Sequence, residues 1–132
     1  MKRLGVLTIL VAVIVGLASA ALLGCKPDSD YEIRPAPIHE VRVSLAKSKP
    51  PQIVVYIKGG LSDGCTTFNE LKTSRDEATV TITVTTKRPK NAACTEVYGF
   101  FEQTVNLGSD FVGGQTYTLK VNDYVTPFQY PI

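Results

Sequence analysis

Tryptophan is absent from the 132-residue chain, and histidine occurs once, at His39. The missing tryptophan removes the core signature of antibody domains. A lone histidine leaves no partners for a histidine-rich metal cluster, and any Ser-His-Asp arrangement would have to use His39. No GxSxG stretch is present. The carboxylates are scattered singly, with none placed as an acid–base pair. No phosphate-cradling glycine loop opens a helix, because no helical pattern follows residue 24. These absences argue against an enzyme, and they leave no expected cofactor or metal. Net positive charge is also missing where it would matter. All twelve acidic residues follow Cys25, whereas Lys2 and Arg3 precede it, so twelve basic and twelve acidic groups remain beyond that point. A charge-balanced domain lacks the basic field that non-specific nucleic-acid binding needs.

What is present begins with an export signal. Met1-Lys2-Arg3 is followed by an almost wholly apolar run from Leu4 to Leu23 without a charge. A positive start and an apolar stretch form the layout of a leader peptide. About 20 apolar residues can also span a bilayer, so an uncleaved transmembrane anchor is the competing reading. The sequence Leu22-Leu23-Gly24-Cys25 resembles the bacterial lipobox. That resemblance implies cleavage after Gly24 and a diacylglycerol thioether on Cys25, and hence a membrane-held domain facing the extracytoplasmic side. Residues 1–24 are therefore read as a lipoprotein signal and residues 25–37, polar and proline-containing, as a tether.

From residue 38 to 132 the apolar residues alternate with the strand period of two. Val41, Val43 and Leu45 share one phase, as do Ile53, Val55 and Ile57, then Val80, Ile82 and Val84, then Tyr117, Leu119 and Val121. Threonines occupy the opposite face of the strand around residue 82, where β-branching suits a solvated surface. A long strand is expected from about Cys94 to Leu107. Tyr98, Phe100 and Phe101, flanked by Glu96 and Glu102, read as core and strand face rather than a sugar platform. Asn122-Asp123 suits a tight hairpin, because these residues tolerate positive φ. About seven short strands with turn punctuation and no helix predict an all-β, antiparallel sandwich of immunoglobulin-like type.

Two cysteines remain once Cys25 carries lipid. Outside the cytoplasm Cys65 and Cys94 are most simply one disulfide, closing a loop of about 30 residues worth roughly 3–4 kcal/mol in the chain-entropy model. A metal pair would lack further ligands, and a redox pair usually lies closer in sequence.

The segments VYIKGGLSDGCTTFNE and ACTEVYGFFEQTVNLGSDF, followed by GGQTYTLKVND, resemble a recurrent domain of bacterial secreted proteins and lipoproteins. The resemblance implies an immunoglobulin-like fold and the Cys65–Cys94 pairing, and carries over no catalytic residue. The expectation is a non-catalytic binding or structural module of the cell envelope, contacting an unknown protein or glycan. Its candidate recognition loops run over residues 59–66, with Ser62, Asp63 and Gly64, and 108–115, with Ser109 and Asp110. A peptidase inhibitor of the same fold is the alternative.

Overall fold

The computed structural model describes residues 30–132; the leader, the lipobox and Cys25 lie outside the described residues. Eight strands follow in order, with no helix among the described residues: β1 (Tyr31–Pro35), β2 (Ile38–Ala46), β3 (Gln52–Leu61), β4 (Thr67–Asp76), β5 (Thr79–Pro89), β6 (Gly99–Gly108), β7 (Thr116–Val121) and β8 (Tyr124–Gln129). They form a two-sheet sandwich. One sheet pairs β2, β3 and β6; the other is built on β5, with β4 along one edge and β7 and β1 on the other, β8 extending from β7. The alternating residues of β3, β5 and β7 meet between the sheets. Ile53, Val55, Ile57, Val80, Ile82, Val84, Leu119 and Val121 are all buried there, each worth about 1.5–3 kcal/mol in burial.

Three features depart from the sequence reading. The tether assigned to residues 25–37 contains a strand: Tyr31–Pro35 pairs antiparallel with Thr85–Pro89. It adds backbone hydrogen bonds but little burial, so no apolar pattern announced it. The chain then crosses between the sheets at Ala36-Pro37. Ala36 is buried at this corner, with its N–H bonded to the Val84 carbonyl at 2.9 Å and the Pro37 carbonyl accepting from Gly60 at 2.9 Å. Second, β5 and β7 pair in parallel, Thr79 opposite Thr118 through Ile82 opposite Val121. The intervening β6 lies in the other sheet, so β7 re-enters running the same way as β5. Alternation reports faces, not strand direction. Third, the strand expected from Cys94 starts only at Gly99.

The edge of β5 is shared end to end by β7 and β1, and the join is closed by a side chain. The β7–β8 hairpin turns at Asn122, whose φ of 51° is the left-handed conformation that asparagine tolerates. That turn aims its carboxamide at β5. Asn122 Oδ1 accepts the Val84 N–H at 2.9 Å, while Nδ2 donates to the carbonyls of Val84 at 2.9 Å and Ala36 at 2.8 Å. One amide thus stands in for the missing strand residue.

The topology sorts the loops into two poles. β5 ends, β1 begins and the β3–β4 and β5–β6 connections cross at one pole. The β2–β3 and β4–β5 turns, the β6–β7 loop and the C-terminus gather at the other.

Replacing Asn122 with Gly keeps the turn's φ but strands the Val84 N–H. Urea unfolding should show a loss of about 1–3 kcal/mol. Stability equal to the parent would refute the bridging role.

Candidate functional site

The DGCT stretch is a structural joint. Asp63 folds back on its own turn: its Oδ1 accepts the N–H groups of Cys65 at 3.0 Å and Thr66 at 2.9 Å and the Thr66 hydroxyl at 2.7 Å. Such self-bonding is the reason aspartate favours turns. Its Oδ2 meets Arg88 Nε at 2.6 Å, and Arg88 reaches on to the carbonyls of Pro89 and Ala92. The disulfide Cys65–Cys94 is formed, with Cα atoms 5.6 Å apart. Gly64 donates its N–H to the Thr95 carbonyl at 2.9 Å, and a Cβ there would meet the Thr95 hydroxyl at 2.0 Å. The motif is therefore tied to the end of β5 through Arg88 and to the β5–β6 connection through Thr95 and Cys94. Asp63, Cys65 and Cys94 bring metal-type donor atoms within 4.8 Å of one another, but the sulfurs are spent on each other, which leaves one carboxylate and no chelating set.

These contacts engage the Asp63 carboxylate and the Gly64 N–H within the joint, while Ser62 and Gly64 remain exposed at its surface. Gly59 and Gly60 belong to β3 rather than to a loop. The Phe101 ring lies over Gly59, where a Cβ would stand 2.1 Å from its tip. Phe101 thus packs inward, also against Phe68. Tyr98 and Phe100, expected as core and strand face, are exposed on the outer side with His39. The three rings stand edge-on to one another at 5.4–5.6 Å, and His39 Nε2 hydrogen-bonds the Tyr98 hydroxyl. No serine or cysteine nucleophile touches His39 among its described contacts.

The second candidate loop, with Ser109 and Asp110, sits at the opposite pole and has a different character. Phe111 inserts into a cluster with Tyr117, Phe128 and Tyr130, at ring separations of 5.0–5.6 Å. Arg75 caps it from β4, its guanidinium 3.9 Å above the Phe111 ring and hydrogen-bonded to the Asp110 carbonyl. The Tyr117 hydroxyl accepts the Val112 N–H at 2.8 Å; Gly114, at a φ of 79° open to glycine, donates to the Tyr130 carbonyl at 2.9 Å. Val112 is left 63% exposed at the tip. A loop held this firmly can bind with little ordering cost. The glycines signalled a turn here; the roles of Arg75 and Phe111 had no local signal, since their partners lie on other strands.

Comparison with known proteins now places the domain. The family model described as the ORF11 beta-sandwich domain matches residues 55–130. The chain belongs to the ORF11 beta-sandwich domain family. It is 43% identical over 86 residues to the uncharacterized 10.2 kDa protein in the HgiCIIM 5′ region of Herpetosiphon aurantiacus, covering 65% of this chain and 90% of that one. Its counterpart in the HgiBIM 5′ region is 45% identical over 76 residues, 58% of this chain and 92% of the relative. No solved structure matches. The ORF11 match begins inside β3 and ends after β8, so it spans both the DGCT joint and the aromatic-pinned loop.

The joint carries a pH signature. Hydrogen bonds from Arg88 and then Thr66 lower the Asp63 carboxyl from 3.8 to about 2. A folded value below the unfolded one favours the ionised native state. The stabilisation is complete above about pH 4 and is lost as the pH falls toward about 2. Asp63→Asn, which retains an acceptor oxygen but no charge, should flatten the fall in thermal midpoint across that window. A fall as steep as the parent's would contradict the assignment.

Proposed function

We propose that this protein is a lipid-anchored, extracytoplasmic lipoprotein acting as a non-catalytic binding or structural module of the bacterial cell envelope. The leader and the LLGC stretch support the anchor: Cys25 would carry the lipid and Leu22, Leu23 and Gly24 would direct its processing. A diacyl chain set on Cys25 gives firm membrane attachment, since each buried methylene contributes about 0.8 kcal/mol. The observation that carries the binding role is the pinned loop 109–115. It lies at the pole away from the start of β1, so an anchor preceding β1 would leave Ser109, Asp110 and Val112 directed into the envelope space. The partner class is a protein or glycan of that space.

One feature favours inhibition of an envelope peptidase as a second reading. Val112 stands exposed on a loop fixed by hydrogen bonds on either side, a form suited to entering a cleft without being remodelled. Inhibition of serine or cysteine peptidases that vanishes with Val112→Asp would select this reading.

Mass spectrometry of the membrane-extracted protein should show a diacylated N-terminal Cys25 and loss of residues 1–24. An unmodified Cys25 with the leader attached would end the lipoprotein reading. Crosslinking in envelope preparations should fall several-fold on Asp110→Lys with Val112→Asp, and hold on Lys72→Gln. Equal yields would remove loop 109–115 as the contact.

A further inference from the structure

The tether is much shorter than the proline-containing segment suggested, and this has a consequence for the pole at which it arrives. Only residues 26–30 separate Cys25 from Tyr31, where β1 starts. Six backbone steps span at most about 20 Å. A lipid on Cys25 therefore holds the Tyr31 end of the sandwich within reach of the bilayer surface. Five exposed apolar side chains lie toward that pole: Val97 is 66% exposed, Phe100 54%, Ile33 50%, Tyr31 47% and Tyr98 46%. Others, among them Leu45 and Val112, are exposed elsewhere, but only this group lies within the reach of an anchor at Cys25.

We propose that this pole seats on the bilayer that holds the Cys25 lipid, with Val97, Tyr98 and Phe100 entering the headgroup boundary. The inference rests on the anchor reading above. The side chains have interfacial chemistry. Tyrosine presents an apolar ring with a polar tip, and lysine keeps its ammonium in water while its stem lies on apolar surface. Lys58 Nζ lies 4.6 Å from the Phe100 ring centroid, Lys87 Nζ 5.4 Å from that of Tyr31, and His39 holds the Tyr98 hydroxyl. Tyr98 and Phe100 form one contiguous exposed group with His39, the kind of surface feature that marks a contact. The charged residues on the segments at this end are mixed in sign, Lys58, Lys87 and Lys90 with Asp30, Glu32 and Glu96. Attraction to anionic lipid is therefore not the driving term, and the seat should form on zwitterionic lipid and survive salt. Seating this pole directs loop 109–115 away from the membrane.

The absence of tryptophan makes the test direct. Full-length, processed Phe100→Trp and Leu45→Trp proteins would be reconstituted into phosphatidylcholine vesicles with brominated acyl chains. Leu45 is an exposed position at the far pole. Emission from the Phe100→Trp protein should shift to the blue and be quenched several-fold more than that from Leu45→Trp, in low and high salt alike. Equal quenching, or none, overturns the seat and leaves the aromatic group to a protein or glycan partner. The mass of each reconstituted protein reports the anchor separately. A lipidated Cys25 with no quenching at position 100 removes the seat alone, and a retained leader removes the anchor reading whatever the quenching shows.

Discussion

The arrangement depends on β5 being hydrogen-bonded along both edges. β4 covers one edge from Thr79 to Lys87, but no single strand covers the other. β7 pairs with Thr79–Ile82 and β1 with Thr85–Pro89. Between them the Asn122 carboxamide satisfies Val84 and draws in Ala36. A buried backbone group without a partner costs about 1–3 kcal/mol, so this amide makes a composite edge tolerable. It also ties together the β1–β2 corner and the β7–β8 hairpin, which are 86 residues apart in sequence.

From that edge follows the division of the molecule into two poles. β1 must enter at the end of β5 to occupy the space that β7 leaves, so the N-terminal approach comes in beside the disulfide and the Asp63–Arg88 pair. The pole carrying those cross-links is stiffened by covalent and charged contacts. The far pole is stiffened differently, by the Phe111, Tyr117, Phe128 and Tyr130 rings with Arg75 across them. Edge-to-face and offset ring pairs are worth about 0.5–1.5 kcal/mol each beyond their burial, enough to hold a glycine-containing loop in one shape.

Much of the fold was legible in the sequence because burial and period coincide. Ile53, Val55 and Ile57, then Val80, Ile82 and Val84, and Tyr117, Leu119 and Val121 alternate and are the buried residues found between the sheets. The hairpin at Asn122 was legible from its turn chemistry, and the Cys65–Cys94 bond from the cysteine count. Less was legible at the sites. β1 is mostly exposed and carries no alternation of burial. The parallel pairing of β5 and β7 concerns direction, which side-chain period does not encode. Asp63 reads as a turn residue whether its carboxylate faces solvent or Arg88, 25 positions along the chain. Phe100 and Phe101 are adjacent and chemically identical, yet the strand places them on opposite faces. Gly59, which receives the Phe101 ring, is the residue that makes one of them interior.

We propose that the two poles do different work, the β1 pole facing the membrane and the other presenting a fixed loop. Hydrogen–deuterium exchange of the lipidated full-length protein, compared between nanodiscs and detergent monomers, tests it most directly. Residues 92–98 have no strand pairing and lie at the pole assigned to the membrane, so their amides can report contact. Slower exchange over 92–98 in nanodiscs, with residues 109–115 unchanged, is the expected result. Slower exchange confined to residues 109–115, or identical exchange of both segments in the two settings, would contradict it.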